Sequence, residues 1–341
     1  MKSFIPKIDF AVGGQAVIEG VMMRSPNFVT VAVRKNSGDI KIKDETFRGL
    51  AMKMRFFGIP LLRGIVNLFE MMIVGMRMLN FSAAENMEDG AVEEKNSTRP
   101  SRSEANTAPS RRGGTSSTAA QKLGLIFSFA MSLVFALGMS LFLFKFLPLY
   151  LTDFLSKNVA ILNQNYLYYN LVDGLIKITF FVVYIGVLGL LPSLHRVFQY
   201  HGAEHKSIYT YEKGLPLEVK HAKKMTRFHP RCGTSFILVV FLLSIFIYTF
   251  VPRQPDFLLN FLLRVAFLPL VAGVSYEVLK WSAKHSEHPL VKIVTLPGLL
   301  FQRLTTQEPS DDQLEVALAA LRRALEMEEI GMQKIPVLDT P

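Results

Sequence analysis

The chain has 341 residues, half of them apolar and only 19% charged, a balance that soluble chains seldom show and that points to a membrane protein. Its 38 Lys and Arg outnumber 28 Asp and Glu to leave a formal charge of +10, but these cations flank long apolar runs, so membrane lipids are the expected partners and nucleic acid is not. The single cysteine, Cys232, excludes an intramolecular disulfide.

In chain order, MKSFIPKIDFAVGG carries a lysine but no apolar h-region before a cleavage site, so no signal peptide is expected. Residues 1–56 read as a small cytoplasmic β subdomain, because VTVAVRK and DIKIKDETF alternate around the turn residues Asn36, Ser37 and Gly38. Within it, GGQAVIEGVMMRSP sets closely spaced glycines beside Gln15, Glu19 and Arg24. Such a segment could line a polar site, and it equally fits a glycine-kinked strand packed on the membrane domain.

Residues 57–81 are apolar, yet Arg63, Asn67, Glu70 and Arg77 recur at helical spacing, which predicts an interfacial amphipathic helix, with packing against the bundle as its alternative. Residues 82–121 turn to Ser, Thr, Glu, Pro, Arg and Gly and read as a disordered linker. Residues 122–304 form the transmembrane domain, since four stretches approach the roughly 20 apolar residues that a crossing needs: Leu123 to Leu147, Leu171 to Leu194, Thr234 to Val251 and Phe257 to Trp281. The fourth carries Arg264, expected to snorkel to the nearer interface or else to meet a buried partner, and Glu277. Of the 38 basic residues, 33 lie before Leu123, between His195 and Gly233, or after Trp281 together with Lys280; four crossings put these regions on one side, so both termini are expected in the cytoplasm. In residues 305–341, Ser310 and Gln313 form a capping box, and Leu314, Leu318, Leu321 and Leu325 share one face of an amphipathic helix. The expected fold class is a mainly α-helical polytopic membrane protein with four transmembrane helices and a small N-terminal cytoplasmic β subdomain.

All seven histidines fall in segments assigned to the cytoplasmic side or its membrane boundary. The densest part is His201-Gly202-Ala203-Glu204-His205. On a helix its imidazoles share a face, where two neutral rings can hold a divalent metal while Glu204 acts on water that the metal activates. The same residues also fit a hydrogen-bonded helix end. His229 and Cys232 add an imidazole and a thiol near the same membrane face, or else a loop cap and a small buried side chain. Glu277 is the expected third ligand, with pairing to Lys280 or Lys284 as its alternative. Gln302 and Arg303, after a Pro-Gly break, could reach an anionic head group or pin the tail helix.

GGQAVIEGVMMRSP, HGAEHK, FHPRCGTSF, SYEVLKW and PGLLFQRLTTQEP occur together and in this order. The set resembles the YqhQ-like family of bacterial polytopic membrane proteins, a domain of unknown function whose members are described as predicted metal-dependent enzymes. The resemblance covers nearly the whole chain except the linker. It implies a bacterial cytoplasmic (inner) membrane and a metal, and supplies no substrate. Its matching positions are Gln15, Glu19 and Arg24, then His201, Glu204 and His205, then His229 and Cys232, and finally Glu277 and Gln302. H-x-x-E-H is also similar to the inverzincin metallopeptidases, in ligand spacing alone, because their soluble α/β architecture has no counterpart here.

The resulting expectation is a metal-dependent hydrolase at the cytoplasmic face, binding a divalent metal, zinc first, through His201 and His205 with Glu204 as general base. Two other classes stay open. A transporter or metal-handling protein would use Arg264, Glu277 and the histidines as a route, with a homo-oligomer supplying helices that four spans lack. A membrane scaffold would recruit partners through the linker and tail helix.

Overall fold

The computed structural model describes residues 12–47, 49–50, 54–97, 119–285 and 288–333. Four strands, β1 (Gly13–Val17), β2 (Gly20–Arg24), β3 (Phe28–Arg34) and β4 (Ile40–Thr46), form an antiparallel meander in the order β1-β2-β3-β4. The helices are α1 (Leu62–Ser97), α2 (Ala119–Leu141), α3 (Leu147–Asn158), α4 (Ala160–Gln164), α5 (Tyr166–Leu188), α6 (Pro192–Glu212), α7 (Val219–Ala222), α8 (Gly233–Thr249), α9 (Phe257–Ala266), α10 (Leu268–Lys284), α11 (Pro289–Thr305) and α12 (Asp311–Gln333).

The alternation expected around Asn36 to Gly38 is the β3–β4 hairpin, in which Arg34 pairs with Ile40. Val and Met fill β2 and β3 on both faces because each face meets a helical layer. Met22, Val31 and Val33 pack with Val74 and Met78 of α1. Val21, Met23 and Ala32, of the opposite parity, pack with Tyr200 and Ala203 of α6 and with Leu314, Leu318 and Leu321 of α12. The sheet is thus the middle layer of a three-layer unit.

The tail helix forms as its sequence demands. Ser310 N–H donates to Gln313 Oε1 (2.9 Å) and Gln313 N–H to Ser310 Oγ (3.4 Å), closing the capping box. Leu314, Leu318, Leu321 and Leu325 are all buried against the sheet and α6.

Among the described residues, three helical stretches are long and apolar enough to cross a membrane: Met131–Asn158, Tyr166–Leu188 and Phe257–Ser282. The first runs through α2, a π-helical turn at Phe142–Phe146 and α3. The expected crossing from Leu123 to Leu147 lies within this continuous helix, which runs on to Asn158 because Pro148 falls just after the π turn, where it does not end the helix. The expected third crossing, Thr234 to Val251, contains a shorter apolar helix, Phe236–Thr249.

Arg264 does not snorkel. Its guanidinium is 3% exposed; it donates to Asp173 Oδ2 at 2.6 Å and to Asn170, while Lys177, one turn along α5, shares the same carboxylate. Lys145 from the π turn donates to Tyr248 OH at 2.9 Å, and that hydroxyl donates to the Arg264 carbonyl at 2.7 Å. A cation inside an apolar bundle needs a counter-charge at contact distance, and Asp173 on a neighbouring helix supplies it, shared with Lys177.

Helix α1 also departs from expectation. It continues to Ser97, so residues 82–97, expected in a disordered linker, are helical; the linker's residues 98–118 lie outside the described ones. Its polar stripe faces protein rather than head groups. Arg63 grips Glu277 of α10 (2.7 and 2.5 Å), Asn67 donates to Tyr276 OH (2.8 Å), Glu70 accepts from Leu50 N–H (2.5 Å) and Arg77 donates to Glu45 of β4 (3.0 Å). Phe69, Met72 and Ile73 point outward instead.

Candidate metal centre

Helix α6 begins at Pro192, a residue suited to a first turn because its missing N–H would have no helical partner. It carries His201 and His205 one turn apart, with ring centroids 4.5 Å from each other. The helix lies close to the segment after α11, since a Cβ on Gly202 would stand 2.1 Å from the Gln307 carbonyl oxygen. That closeness lets His201 Nδ1 meet the Thr305 carbonyl at 2.8 Å, while His205 Nδ1 meets the Arg227 carbonyl at 2.5 Å.

A carbonyl oxygen can only accept, so each Nδ1 carries the proton and each Nε2 presents a lone pair. His201 Nε2 is 3.2 Å from Cys232 Sγ. His205 Nε2 is buried without a hydrogen-bond partner. One donor atom each from His201, His205 and Cys232 lie within 4.8 Å of one another. In a tetrahedral zinc site with Zn–N about 2.0 Å and Zn–S about 2.3 Å, donor atoms stand roughly 3.3–3.5 Å apart, so these side chains fit such an ion after small rotations. Cys232 sits at the N-cap of α8, accepting from Thr234 N–H at 3.4 Å and lying 3.1 Å from Thr234 Oγ1. Burial pushes the His205 pKa down, against the raising contact with Cys232, which keeps the ring neutral as ligation requires.

Glu204 lies between the two histidines in sequence and is 5% exposed. Burial raises its pKa, opposed by nearby His201 and His229 and by the Gly14 backbone. A Cβ on Gly14 would lie 2.9 Å from Glu204 Cγ and 2.7 Å from the Met22 carbonyl, so glycine alone lets the edge strand β1 come this close. A cavity of about 430 Å³ joins these parts, with Gly13, Gly14, Glu204 and Cys232 on one side and the apolar Phe181, Ile185 and Phe301 on the other.

His229 borders the cavity without joining the cluster. Its Nδ1 accepts from Arg231 N–H and its Nε2 faces Glu212 Oε2, both at 3.3 Å, so neither nitrogen is open to an ion in this arrangement. Glu277, the expected third ligand, is held by Arg63 instead, and the third side chain of the cluster is Cys232. Gln302 is fully buried and clamps the His229 backbone in both directions, accepting from its N–H and donating to its carbonyl at 2.7 Å each. Arg303 is exposed on α11. Gln15 is exposed beside Gly75 of α1 and lines the cavity. Glu19, at φ 50° in the β1–β2 turn, pairs with Arg196 and accepts from Tyr200 OH at 3.3 Å, docking the hairpin on α6. Arg24 stacks on Phe47, 4.4 Å from the ring centroid, and points at Met71 Sδ (3.0 Å). The motif GGQAVIEGVMMRSP therefore both seats the sheet, through Glu19 and Arg24, and lines the cavity, through Gly13, Gly14 and Gln15.

The sequence reading missed Glu212, which carries the His229 contact and also accepts from Arg231 at 2.7 Å. Its place on α6, two turns after His205, is the signal that could have found it.

Sheet, helices and side-chain cluster together define a mainly helical chain with helices of membrane-spanning length, a small antiparallel sheet and a His-His-Cys group in which His205 and Cys232 are buried and His201 partly so. The chain belongs to the family described as "Protein of unknown function (DUF1385)", which matches residues 59–327. It is 34% identical over 332 residues to the "Uncharacterized protein YqhQ" of Bacillus subtilis (strain 168), a match covering 96% of each chain. No solved structure matches it.

Proposed function

We propose that the chain is a metal-dependent hydrolase of the bacterial cytoplasmic membrane, holding a divalent ion, zinc by its donor set, through His201 Nε2, His205 Nε2 and Cys232 Sγ. The observation that carries this is the orphaned, buried His205 Nε2 beside a thiol, with both imidazoles fixed in the ligating tautomer by backbone carbonyls. Two nitrogens and a sulfur suit zinc over harder cations, and three protein ligands leave a position for catalysis. When bound, the ion would supply Lewis acidity and lower the pKa of water.

Glu204 is the general base: its carboxylate accepts the proton of the attacking water and then delivers it to the leaving group as the scissile bond breaks. The Gly14 backbone steadies that carboxylate, and His229 and Phe301 limit solvent entry. The apolar wall of the cavity suits a substrate that reaches the site from the membrane.

Four crossings, with Phe236–Thr249 as a short one, and both termini in the cytoplasm agree with the distribution of basic residues and put the cavity at the cytoplasmic surface. The outward Phe69, Met72 and Ile73 give α1 an apolar face for the same interface.

Elemental mass spectrometry of purified protein tests the reading. Stoichiometric zinc in the wild type, lost in His201→Ala/His205→Ala, is expected; Glu204→Gln should keep the ion and lose turnover. Wild-type protein that stays metal-free after reconstitution sinks the mechanism. A second reading, transport, has its own support in Lys145, Asp173, Lys177 and Arg264 buried among the apolar helices. Flux through proteoliposomes that survives Glu204→Gln and fails in Asp173→Asn would favour it.

A further inference from the structure

A second cavity, of about 310 Å³, lies on the face of the sheet where Met22 packs toward α1, with Arg24, Pro26 and Met71 in its walls. It meets the metal cavity at Gly13 and Gly14 of the edge strand β1, the two residues that line both. These glycines face opposite ways. Gly14 gives its face to Glu204, whereas a Cβ on Gly13 would meet no atom within 4 Å. Gly13 pairs with Arg24 of β2, so the space it leaves open lies beside the Arg24 side chain. The Arg24 guanidinium sits over the Phe47 ring, 4.4 Å from its centroid, and its hydrogen bond is one N–H to Met71 Sδ at 3.0 Å. A guanidinium carries five N–H donors and a thioether is a weak acceptor, so most of this fork lacks a protein acceptor. Glu70 and Tyr276 act on Arg24 across space without a hydrogen bond to it, and Glu70 Oε1 is taken by the Leu50 N–H at 2.5 Å. A charge that does not touch offsets the cost of burial and leaves the donors unfilled.

We propose that Arg24 binds an oxyanion, a carboxylate or a phosphate group, and that this group belongs to the substrate whose scissile bond lies at His201, His205 and Cys232. A guanidinium held over a ring presents its fork to two oxygens of such a group at once; a single carbonyl oxygen would leave most of the donors unfilled. The glycine pair lets one molecule serve both cavities. With no side chain at position 13 or 14, a substrate can cross the edge of the sheet from the cluster to Arg24. Phe181 and Phe301, on the far wall of the metal cavity, meet its other end. Resting on the hydrolase reading above, this makes the substrate apolar at one end and anionic at the other; the anion site itself does not depend on that reading.

The test is isothermal titration calorimetry of the full chain in neutral detergent with inorganic phosphate and, separately, acetate at constant ionic strength, with metal content measured on the same samples. Wild type should bind at least one of the two saturably, and the tighter one names the anionic group of the substrate. Arg24→Lys keeps the charge and loses the fork, and should weaken binding about tenfold, the loss of one charge-assisted hydrogen bond. Gly13→Leu leaves Arg24 in place, fills the open space beside it, and should weaken binding at least as much. His201→Ala/His205→Ala should bind as wild type does. No saturable binding of either anion by wild type, binding that Arg24→Lys or Gly13→Leu leaves unchanged, or binding lost with the two histidines overturns the proposal, the last because the anion would then sit on the metal. Arg24-dependent binding by a wild type that holds no metal supports the anion site and overturns the hydrolase reading; metal without anion binding does the reverse.

Discussion

Asp173→Ala offers the sharpest test of the membrane helices. Asp173 is 1% exposed and its carboxylate is shared by Lys177 and Arg264, which are themselves 1% and 3% exposed. Removing it leaves both cations buried, with the neutral Asn170 and Asn260 and the Tyr169 and Tyr248 rings to face Arg264. Breaking one buried ion pair costs about 3–5 kcal/mol, and two cations on one acid put this substitution at the upper end. The control is Asp173→Leu/Lys177→Met/Arg264→Met, which removes all three charges. Replacing a buried ionic group with apolar side chains of similar volume is often neutral or stabilising by about 1–4 kcal/mol, so the triple variant should recover most of the loss. Both can be followed by far-UV circular dichroism during unfolding of detergent-solubilised protein in mixed micelles. A loss below about 1 kcal/mol in Asp173→Ala would mean that the cations find water, and a triple variant as weak as the single one would refute the ion-pair argument.

Other substitutions probe the cytoplasmic unit. Gln302→Leu removes both hydrogen bonds to the His229 backbone and leaves that N–H and carbonyl buried, a local loss of about 2–5 kcal/mol; chelator competition should show weaker metal retention with helical content unchanged. Gly202→Ala sets a methyl 2.1 Å from the Gln307 carbonyl. It should push α6 from the segment after α11, breaking the His201–Thr305 contact and lowering metal content, whereas equal metal content would exclude that coupling. Leu318→Ala, at a fully buried position of α12, should cost about 2–5 kcal/mol, measured as faster hydrogen exchange in α12 and in β2 and β3. Unchanged exchange there would mean that the tail helix does not stabilise the sheet.

Local patterns were legible in the sequence and distant pairings were not. The β3–β4 hairpin, the Ser310–Gln313 box and the buried leucine face each depend on residues a few positions apart, within reach of periodicity and turn chemistry. H-x-x-E-H was readable for the same reason, since one helical turn brings the two rings together. Glu277 was misassigned because its partner, Arg63, lies 214 residues away; from sequence, an intramembrane carboxylate and a missing ligand look alike. Arg264 was misread because Asp173 stands 91 residues before it on another helix, although Asp173 and Lys177 four residues apart inside an apolar run were a visible sign of a polar seam. The stripe on α1 was real, but periodicity gives a face without naming what covers it.

The contact between His201 and the Thr305 carbonyl spans 104 residues and bears on biogenesis. While a ribosome is still translating α11, the first histidine has no acceptor to fix its ring, and Gln302 is not yet present to clamp His229. The His205 ring already has its acceptor in the Arg227 carbonyl, so the His201 ring is the one left unfixed until the end of α11 is made. On the metal reading proposed above, capture waits for α11, and a chain truncated before Thr305 should emerge empty even with both histidines and the cysteine intact.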